Sequence, residues 1–211
     1  MNPHNNYGIA PTPMLPDAIV AGCIEIYENV WTDCSAIIDS VENECVNHNS
    51  GIHWNKSSTI GDGVMQDQRT NYDMSITYNL NTTNNETMRI IHNRMCETLN
   101  SAMISYHNRN QINESFWFEG FNLLKYQTGQ EYKLHYDSST GLGRHVSAIL
   151  YLNDNYEGGF IEFPNFNIKI KPVTGMLMLF PSNFAYGHIA HPVVQGTKYA
   201  LVTWLHDRPI E

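Results

Sequence analysis

From Phe116 onward the chain is written in short apolar runs. Phe, Tyr, Val, Ile and Leu fill stretches of a few residues, punctuated by Gly, Asn and Pro, which is the pattern of short strands joined by turns. The runs predict strands near 121–127, 131–137, 145–153, 159–163, 166–171, 176–180, 187–191 and 198–206. About eight short strands at this spacing point to a sandwich or barrel. "NDNYEGG" (153–159) and "VVQGT" (193–197) read as hairpin turns between them.

Upstream the period changes. "AGCIEIYENV" (21–30) alternates as a strand does. "WTDCSAIIDSVENEC" then reads as a helix with Thr32 or Asp33 as N-cap and an apolar face of Cys34, Ile37, Ile38, Val41 and Cys45. A second helix is predicted over 86–108, where Met88, Ile91, Met95, Leu99, Ala102 and Tyr106 recur at steps of three and four. Residues 1–16 read as a flexible arm rich in Pro and Asn. Residues 55–71 read as a polar, glycine-containing loop, either a mobile connection or a lid. The expected fold is α+β: a double-stranded β-helix, or jelly roll, of about eight strands, with N-terminal helices packed on one sheet. A single domain is expected over 1–211, with the arm (1–16), a helical and strand support (17–114) and the jelly-roll core (115–208).

Composition narrows the partners. The formal net charge of −9 over 211 residues argues against a broad nucleic-acid footprint or an anionic membrane surface. The longest clean apolar stretch, "MLMLF", is far too short to span a bilayer, and the first residues show no basic leader. None of Cys23, Cys34, Cys45 and Cys96 forms a close pair. Cys23 is expected in a strand. Cys34 and Cys45 would share a helical face at roughly 16 Å, too far apart for one metal. Reduced thiols and an intracellular location follow. Oligomeric state leaves no mark on the sequence.

The candidate chemistry begins at "YKLHYDSS" (132–139), where a histidine and an aspartate interrupt a strand, a setting in which Asp is depleted. In a strand, residues two apart share a face, so His135 and Asp137 would project together, about 6.6 Å apart at Cα. Leu134 and Tyr136 would point into the opposite packing layer. One histidine and one carboxylate need a third donor, and His145, His188, His191 and His206 are candidates. Two histidines and a carboxylate on one face of a metal suit non-haem Fe(II), with open positions for other ligands. Lys198 lies in the apolar strand "KYALVTWLH". A buried ammonium is costly without a counter-charge. A bound dicarboxylate would supply one, unless the lysine head reaches solvent or a protein carboxylate.

Three blocks in order resemble the prolyl 4-hydroxylase catalytic domain of the Fe(II)- and 2-oxoglutarate-dependent oxygenases: "YQTGQEYKLHYD", "YLNDNYEGGFIEFP", and the run from His188 through Pro192, Val193 and Gly196 to Lys198. The resemblance covers roughly 115–208, with a weaker echo at 21–47. It implies that His188 joins His135 and Asp137 as iron ligands and leaves His191 without assigned chemistry. It implies that Lys198 binds the distal carboxylate of 2-oxoglutarate and that Tyr126 and Tyr151 help to hold this cosubstrate, although either tyrosine could serve packing alone. "KYALVTWLHDRP" is similar to the collagen-type enzymes, so that Arg144, Trp204 and His206 would line a peptide groove, or else be structural. The retained Asp137 favours hydroxylation over halogenation.

The implied activity is 4-hydroxylation of a prolyl residue in a protein or peptide, with Fe(II), 2-oxoglutarate, O2 and ascorbate as reductant, releasing succinate and CO2. The alternatives are a hydroxylase of free proline or another small molecule, and a non-enzymatic jelly-roll module binding a metal or carbohydrate. The partner expected is a proline-containing chain, with neither nucleic acid nor membrane. The location expected is the cytoplasm of a microbe, or of a host cell if the source is viral.

Overall fold

The computed structural model describes residues 11–57, 68–138 and 143–207. In chain order the elements are β1 (Ala18–Val20), β2 (Ile24–Tyr27), α1 (Cys34–Val46), β3 (Asn55–Lys56), β4 (Tyr72–Ser75), α2 (Ile76–Thr83), α3 (Glu86–Asn110) and β5 (Trp117–Phe118). They continue with β6 (Asn122–Gln127), β7 (Tyr132–His135), β8 (Arg144–Tyr151), β9 (Glu157–Gly158), β10 (Ile161–Phe163) and β11 (Ile168–Ile170). The last are β12 (Leu177–Pro181), β13 (His188–Ala190), β14 (Val193–Gln195) and β15 (Thr197–His206).

Two sheets face each other. The larger runs β1-β2-β12-β8-β15-β6-β4-β3, with β5 also paired to β15, and the smaller runs β11-β10-β13-β7. From β6 on, the chain passes back and forth between them, which is the winding of a jelly roll. Each of the eight expected strands from 121 to 206 corresponds to an observed one. The two expected hairpin turns do not hold. Segment 153–159 leaves β8 of the large sheet for β9 and β10, and 193–197 leads from β14 into β15. Both carry the chain from one sheet to another, so their Gly and Asn residues serve a crossover. The hairpin in this region is β10–β11, closed by the short 3-10 turn Pro164–Phe166 with Asn167 at φ 53°.

The large sheet is covered on both faces, which explains why "MLMLF" does not alternate. On β12, Leu177 and Leu179 join the helix-side core, whereas Met178 and Phe180 join the cluster between the sheets. α3 supplies Met88, Ile91, Met95, Leu99, Ala102 and Tyr106 to the helix-side core, and α1 supplies Cys34, Ile37 and Val41. α3 starts at Asn85, whose side chain accepts the Met88 N–H, and ends with Gln111 in the left-handed conformation.

Some local expectations shift. Cys23 sits in the turn between β1 and β2, at the end of the Ala21–Gly22 pair with positive φ, because the alternating segment folds into a tight hairpin. α2 was not legible, since "ITYNLNTT" is rich in β-branched residues and Asn. It is held by Ser75, which accepts the Tyr78 N–H, and by Thr77, whose hydroxyl accepts the Phe121 N–H. Of the loop read over 55–71, residues 58–67 lie outside the described residues, as do residues 1–10 of the expected arm. Within the rest of that arm, the Met14 N–H donates to the Ser101 carbonyl of α3.

Candidate active site

The three candidate ligands come together through strand register. In the antiparallel pair β7–β13, His188 stands directly opposite His135, a relation that places two Cα atoms roughly 5 Å apart. β7 ends at His135, short of the expected 137. Asp137 is held beyond the strand end by its N–H, which donates to the Ser182 carbonyl at 3.1 Å. Asp137 Oδ1 lies 3.7 Å from His135 Nε2, and Oδ2 lies 3.8 Å from His188 Nε2. One donor atom from each residue falls within 4.8 Å of the others. Leu134 and Tyr136 are 60% and 55% exposed instead of entering a packing layer, and Tyr136 already lies beyond the end of β7.

The surroundings suit a cation. His135 Nδ1 is 2.7 Å from the Lys133 carbonyl and His188 Nδ1 is 3.2 Å from that of Tyr186. Each Nδ1 carries the proton for such a bond, so each Nε2 lone pair is free to ligate. Burial and the neighbouring His188 hold His135 well below the usual imidazole range, keeping it neutral. Burial pushes Asp137 up, but His188, His135 and hydrogen bonds from Ser147 and Trp204 prevail and hold it low. Ser147 Oγ donates to Asp137 Oδ2 at 2.6 Å and is itself 2.8 Å from Ser182 Oγ. A carboxylate held in its ionised form beside two imidazoles whose Nδ1 atoms are engaged by backbone carbonyls is a donor set for a divalent transition metal.

A cavity of about 310 Å³ extends from these residues into the space between the sheets, with Leu124, Ile149, Ala200 and Val202 among its apolar walls. Lys198, Tyr126 and Tyr151 also line it. Lys198 is 3% exposed, and its Nζ donates to the Gly159 carbonyl at 2.7 Å. Among the described residues no carboxylate forms an ion pair with it. Burial, and secondarily the charge of Lys171, lower its ammonium to about 7. Its Nζ lies 4.9 Å from the Tyr151 ring centre and 5.7 Å from that of Tyr126. Burial raises Tyr126 to about 12 and Tyr151 well above its ordinary value, so both phenols keep the proton they can donate. The Gly158–Gly159 turn makes this geometry possible. Both have positive φ, and a Cβ would stand 2.5 Å from the Pro192 carbonyl at Gly158 and 2.6 Å from the Tyr156 ring at Gly159.

At the other side of the cavity the Arg144 guanidinium stacks 3.7 Å from the Trp204 ring centre, and both residues line the space. Arg144 is clamped by Glu119 through two hydrogen bonds, one of them Nε to Oε2 at 2.5 Å, and its Nη1 reaches the Asp137 carbonyl at 3.3 Å. His206 does not line the cavity with Trp204. It is buried with Nε2 2.8 Å from Glu119 Oε2, and the β15–β8 register slips between Leu205 and His206. Burial alone would raise Glu119, but its hydrogen bonds with Arg144 and His206 carry it below the usual carboxylate range. His145 lies at the surface, 3.3 Å from Asp207, and His191 pairs with Glu162 at 2.6 Å.

Sequence reasoning passed over several residues here. Glu119 is an acid inside the apolar run "SFWFEGF", the same kind of signal that drew attention to Lys198. Tyr132 stood within the first quoted block. Its ring stacks on His135 with centres 3.4 Å apart, and the Arg69 guanidinium lies 5.1 Å above it. Arg69 also lines the cavity, and nothing in "DQRTN" announced it.

Residues 121–206 match the family model described as the 2OG-Fe(II) oxygenase superfamily. Prolyl 4-hydroxylase 13 of Arabidopsis thaliana is 32% identical over 44% of this chain and 44% of its own length. The chain spans less than half the length of the curated plant relatives it matches. Among solved structures, a Trichoplax adhaerens prolyl hydroxylase in complex with a hypoxia inducible factor peptide superposes with a TM-score of 0.70. It is 23% identical, covering 89% of this chain and 84% of that one. A viral collagen prolyl hydroxylase from Paramecium Bursaria Chlorella virus-1, in a 2OG complex, gives a TM-score of 0.61 at 20% identity, covering 88% and 96%. At these identities the structural likeness speaks for the fold. Residues 121–206 therefore match the 2OG-Fe(II) oxygenase superfamily, the curated relatives of this region are named prolyl 4-hydroxylases, and the fold is the one seen in the solved prolyl hydroxylases.

Proposed function

We propose that this protein is an Fe(II)- and 2-oxoglutarate-dependent dioxygenase that 4-hydroxylates a prolyl residue within a protein or peptide. The observation that carries this reading is the pairing, in one cavity, of the His135–Asp137–His188 donor set with a buried Lys198 that has no carboxylate partner among the described residues. His135 and His188 would hold Fe(II) through Nε2 and Asp137 through a carboxylate oxygen, while Ser147 steadies the other oxygen. Lys198 receives the distal carboxylate of 2-oxoglutarate, and Tyr126 and Tyr151 form the wall beside it. The chemistry that Fe(II), 2-oxoglutarate and O2 supply when bound is oxidative decarboxylation to succinate and CO2, coupled to insertion of one oxygen atom into a C–H bond. The apolar walls exclude water from the reacting groups. Ascorbate serves as the reductant. No helix among the described residues is long and apolar enough to cross a membrane, and the four cysteines are unpaired, which suits a reducing cytoplasm.

Arg144 and Trp204 form the face toward the substrate: a planar donor fork for peptide carbonyls beside an aromatic surface for the proline ring. His206 takes part through Glu119. Glu119→Ala leaves the Arg144 guanidinium without its counter-charge, and the expected outcome is a peptide KM raised about tenfold or more with 2-oxoglutarate affinity unchanged. Steady-state kinetics in both substrates checks this. An unaltered peptide KM removes Arg144 from the substrate face.

The deciding experiment is mass spectrometry of a panel of proline-containing peptides incubated with Fe(II), 2-oxoglutarate, O2 and ascorbate. The expected product is a peptide heavier by one oxygen atom, carrying 4-hydroxyproline, with stoichiometric succinate. Turnover with free amino acids alone means a small-molecule hydroxylase. No 2-oxoglutarate consumption with any substrate means a binding module.

A further inference from the structure

On β4, Met74 enters the helix-side core. Strand alternation therefore turns Asp73 to the other face of the large sheet, where it lines the cavity. The register sets Asp73 between Asn55 of β3 and Leu124 of β6. Across the sheet Leu124 stands opposite Ala200, and Ala200 opposite Tyr151. These three also line the cavity, so Asp73 is the one charged member of a row along its floor. Asn122, two residues before Leu124 on the same face, lines the cavity too. It is a diagonal neighbour of Asp73, within reach of a shared ligand.

The other charged groups of the cavity are engaged elsewhere. Asp137 belongs to the metal donor set. Arg144 and Glu119 hold one another, and Lys198 is held by the Gly159 carbonyl at the seat proposed for the cosubstrate. Arg69 donates through Nε to Asn71 Oδ1 at 2.9 Å and lies over the Tyr132 ring. It approaches Asp73 Oδ2 only to 3.8 Å, beyond hydrogen-bond range. Among the described residues no N–H or O–H donates to the Asp73 carboxylate, and the Asn122 side-chain amide has no partner.

The Asp73 side chain is 30% exposed, so water solvates it in the empty protein. A substrate chain entering the cavity displaces that water. The stripped carboxylate is costly unless the substrate brings a donor, and a cation is the strongest one. An acidic group arriving there adds repulsion, so the same residue rejects as well as selects. Contacts lead from Asp73 through Arg69 and Tyr132 to His135, which places the carboxylate within reach of a long side chain beside the target residue.

We infer that Asp73 is a specificity-determining residue that selects substrate chains carrying a lysine or arginine next to the target proline, with the Asn122 amide oxygen as a second acceptor. The inference rests on the function proposed above and narrows its substrate class. The formal net charge of −9 favours encounter with such a basic segment.

The test takes a peptide that the full-length wild type hydroxylates and varies the residue on each side of its proline in turn to Lys, Gln or Glu. Oxygen incorporation read by mass spectrometry, with Fe(II), 2-oxoglutarate and ascorbate present, gives kcat/KM. On at least one side the wild type is expected to favour Lys over Glu by about tenfold or more, with Gln between. That ratio shrinks as salt is raised from about 0.05 to about 0.5 M. In Asp73→Asn it falls to within about twofold, and in Asp73→Lys it inverts. A wild-type ratio within twofold on both sides overturns the inference and leaves the function standing, as does an Asp73→Asn ratio equal to that of wild type. If thermal melts show that the variants do not fold, the wild-type ratio and its salt dependence decide. Turnover of free amino acids alone overturns the proposed function as well.

Discussion

Asp137→Ala lowers 2-oxoglutarate-dependent turnover at least about a thousandfold and leaves the fold intact. Loss of an outer partner of a metal ligand typically costs about 10- to 100-fold, and Asp137 is the only carboxylate in the proposed ligand set. Ser147→Ala, which removes the hydroxyl hydrogen-bonded to Asp137 Oδ2, falls in that smaller range. The fold survives because the hydrophobic clusters on both faces of the large sheet do not include Asp137, and Ser147 and Ser182 still pair with one another. Calorimetric titration with Mn(II), succinate assays and circular-dichroism melts together check this. Turnover of Asp137→Ala within tenfold of wild type would remove the carboxylate from the metal set.

Lys198→Ala raises the 2-oxoglutarate requirement by roughly two to three orders of magnitude, because a ligand carboxylate then enters a dry cavity without its cation. The same lysine predicts a pH dependence. Its folded-state value is lowered from 10.5 to about 7 by burial and by Lys171. In the empty protein it is therefore discharged above about pH 7, and a bound dicarboxylate restores its proton. Binding takes up a proton between about pH 7 and the ordinary lysine range, and the Kd rises toward tenfold per pH unit there. The stability sign is opposite to that of a salt-bridged lysine. A depressed lysine binds fewer protons folded than unfolded over this window, so its cost is fully present below about pH 7 and fades as pH rises. Lys198→Met accordingly melts higher than the ligand-free wild type at pH 6, and the advantage shrinks by pH 10. Calorimetry in buffers of different ionisation enthalpy measures the proton uptake. A Kd independent of pH between 7 and 9, or normal 2-oxoglutarate kinetics in Lys198→Ala, would sink the cosubstrate assignment.

Much of the core was legible because its causes are local. The three-and-four spacing from Met88 to Tyr106 predicted a helix, and these residues are buried along α3. The eight apolar runs after Phe116 predicted eight strands. α2 was not legible, because its residues favour other conformations and it is held by tertiary contacts, with Ile76 and Leu80 packed into the helix-side core, Thr77 bonded to Phe121 and a cap at Ser75. The turns at 153–159 and 193–197 were misread for a related reason: Gly and Asn mark a change of direction, but not which sheet receives the chain.

By itself the sequence determined the alternation that sends His135 and its strand neighbour Leu134 to opposite sides of β7. It also determined the anomaly of a lysine in an apolar strand and the order of three blocks shared with an oxygenase family. Only the tertiary structure decided that His188 faces His135 across β7 and β13 while His191 turns to Glu162. It also turned His206 to Glu119 and brought Tyr156 to the ring of groups around Lys198. The physical reason is register. Side-chain period is written along one strand, but the partner that meets a side chain is chosen by how two strands align, and that alignment is set by packing across the whole sandwich.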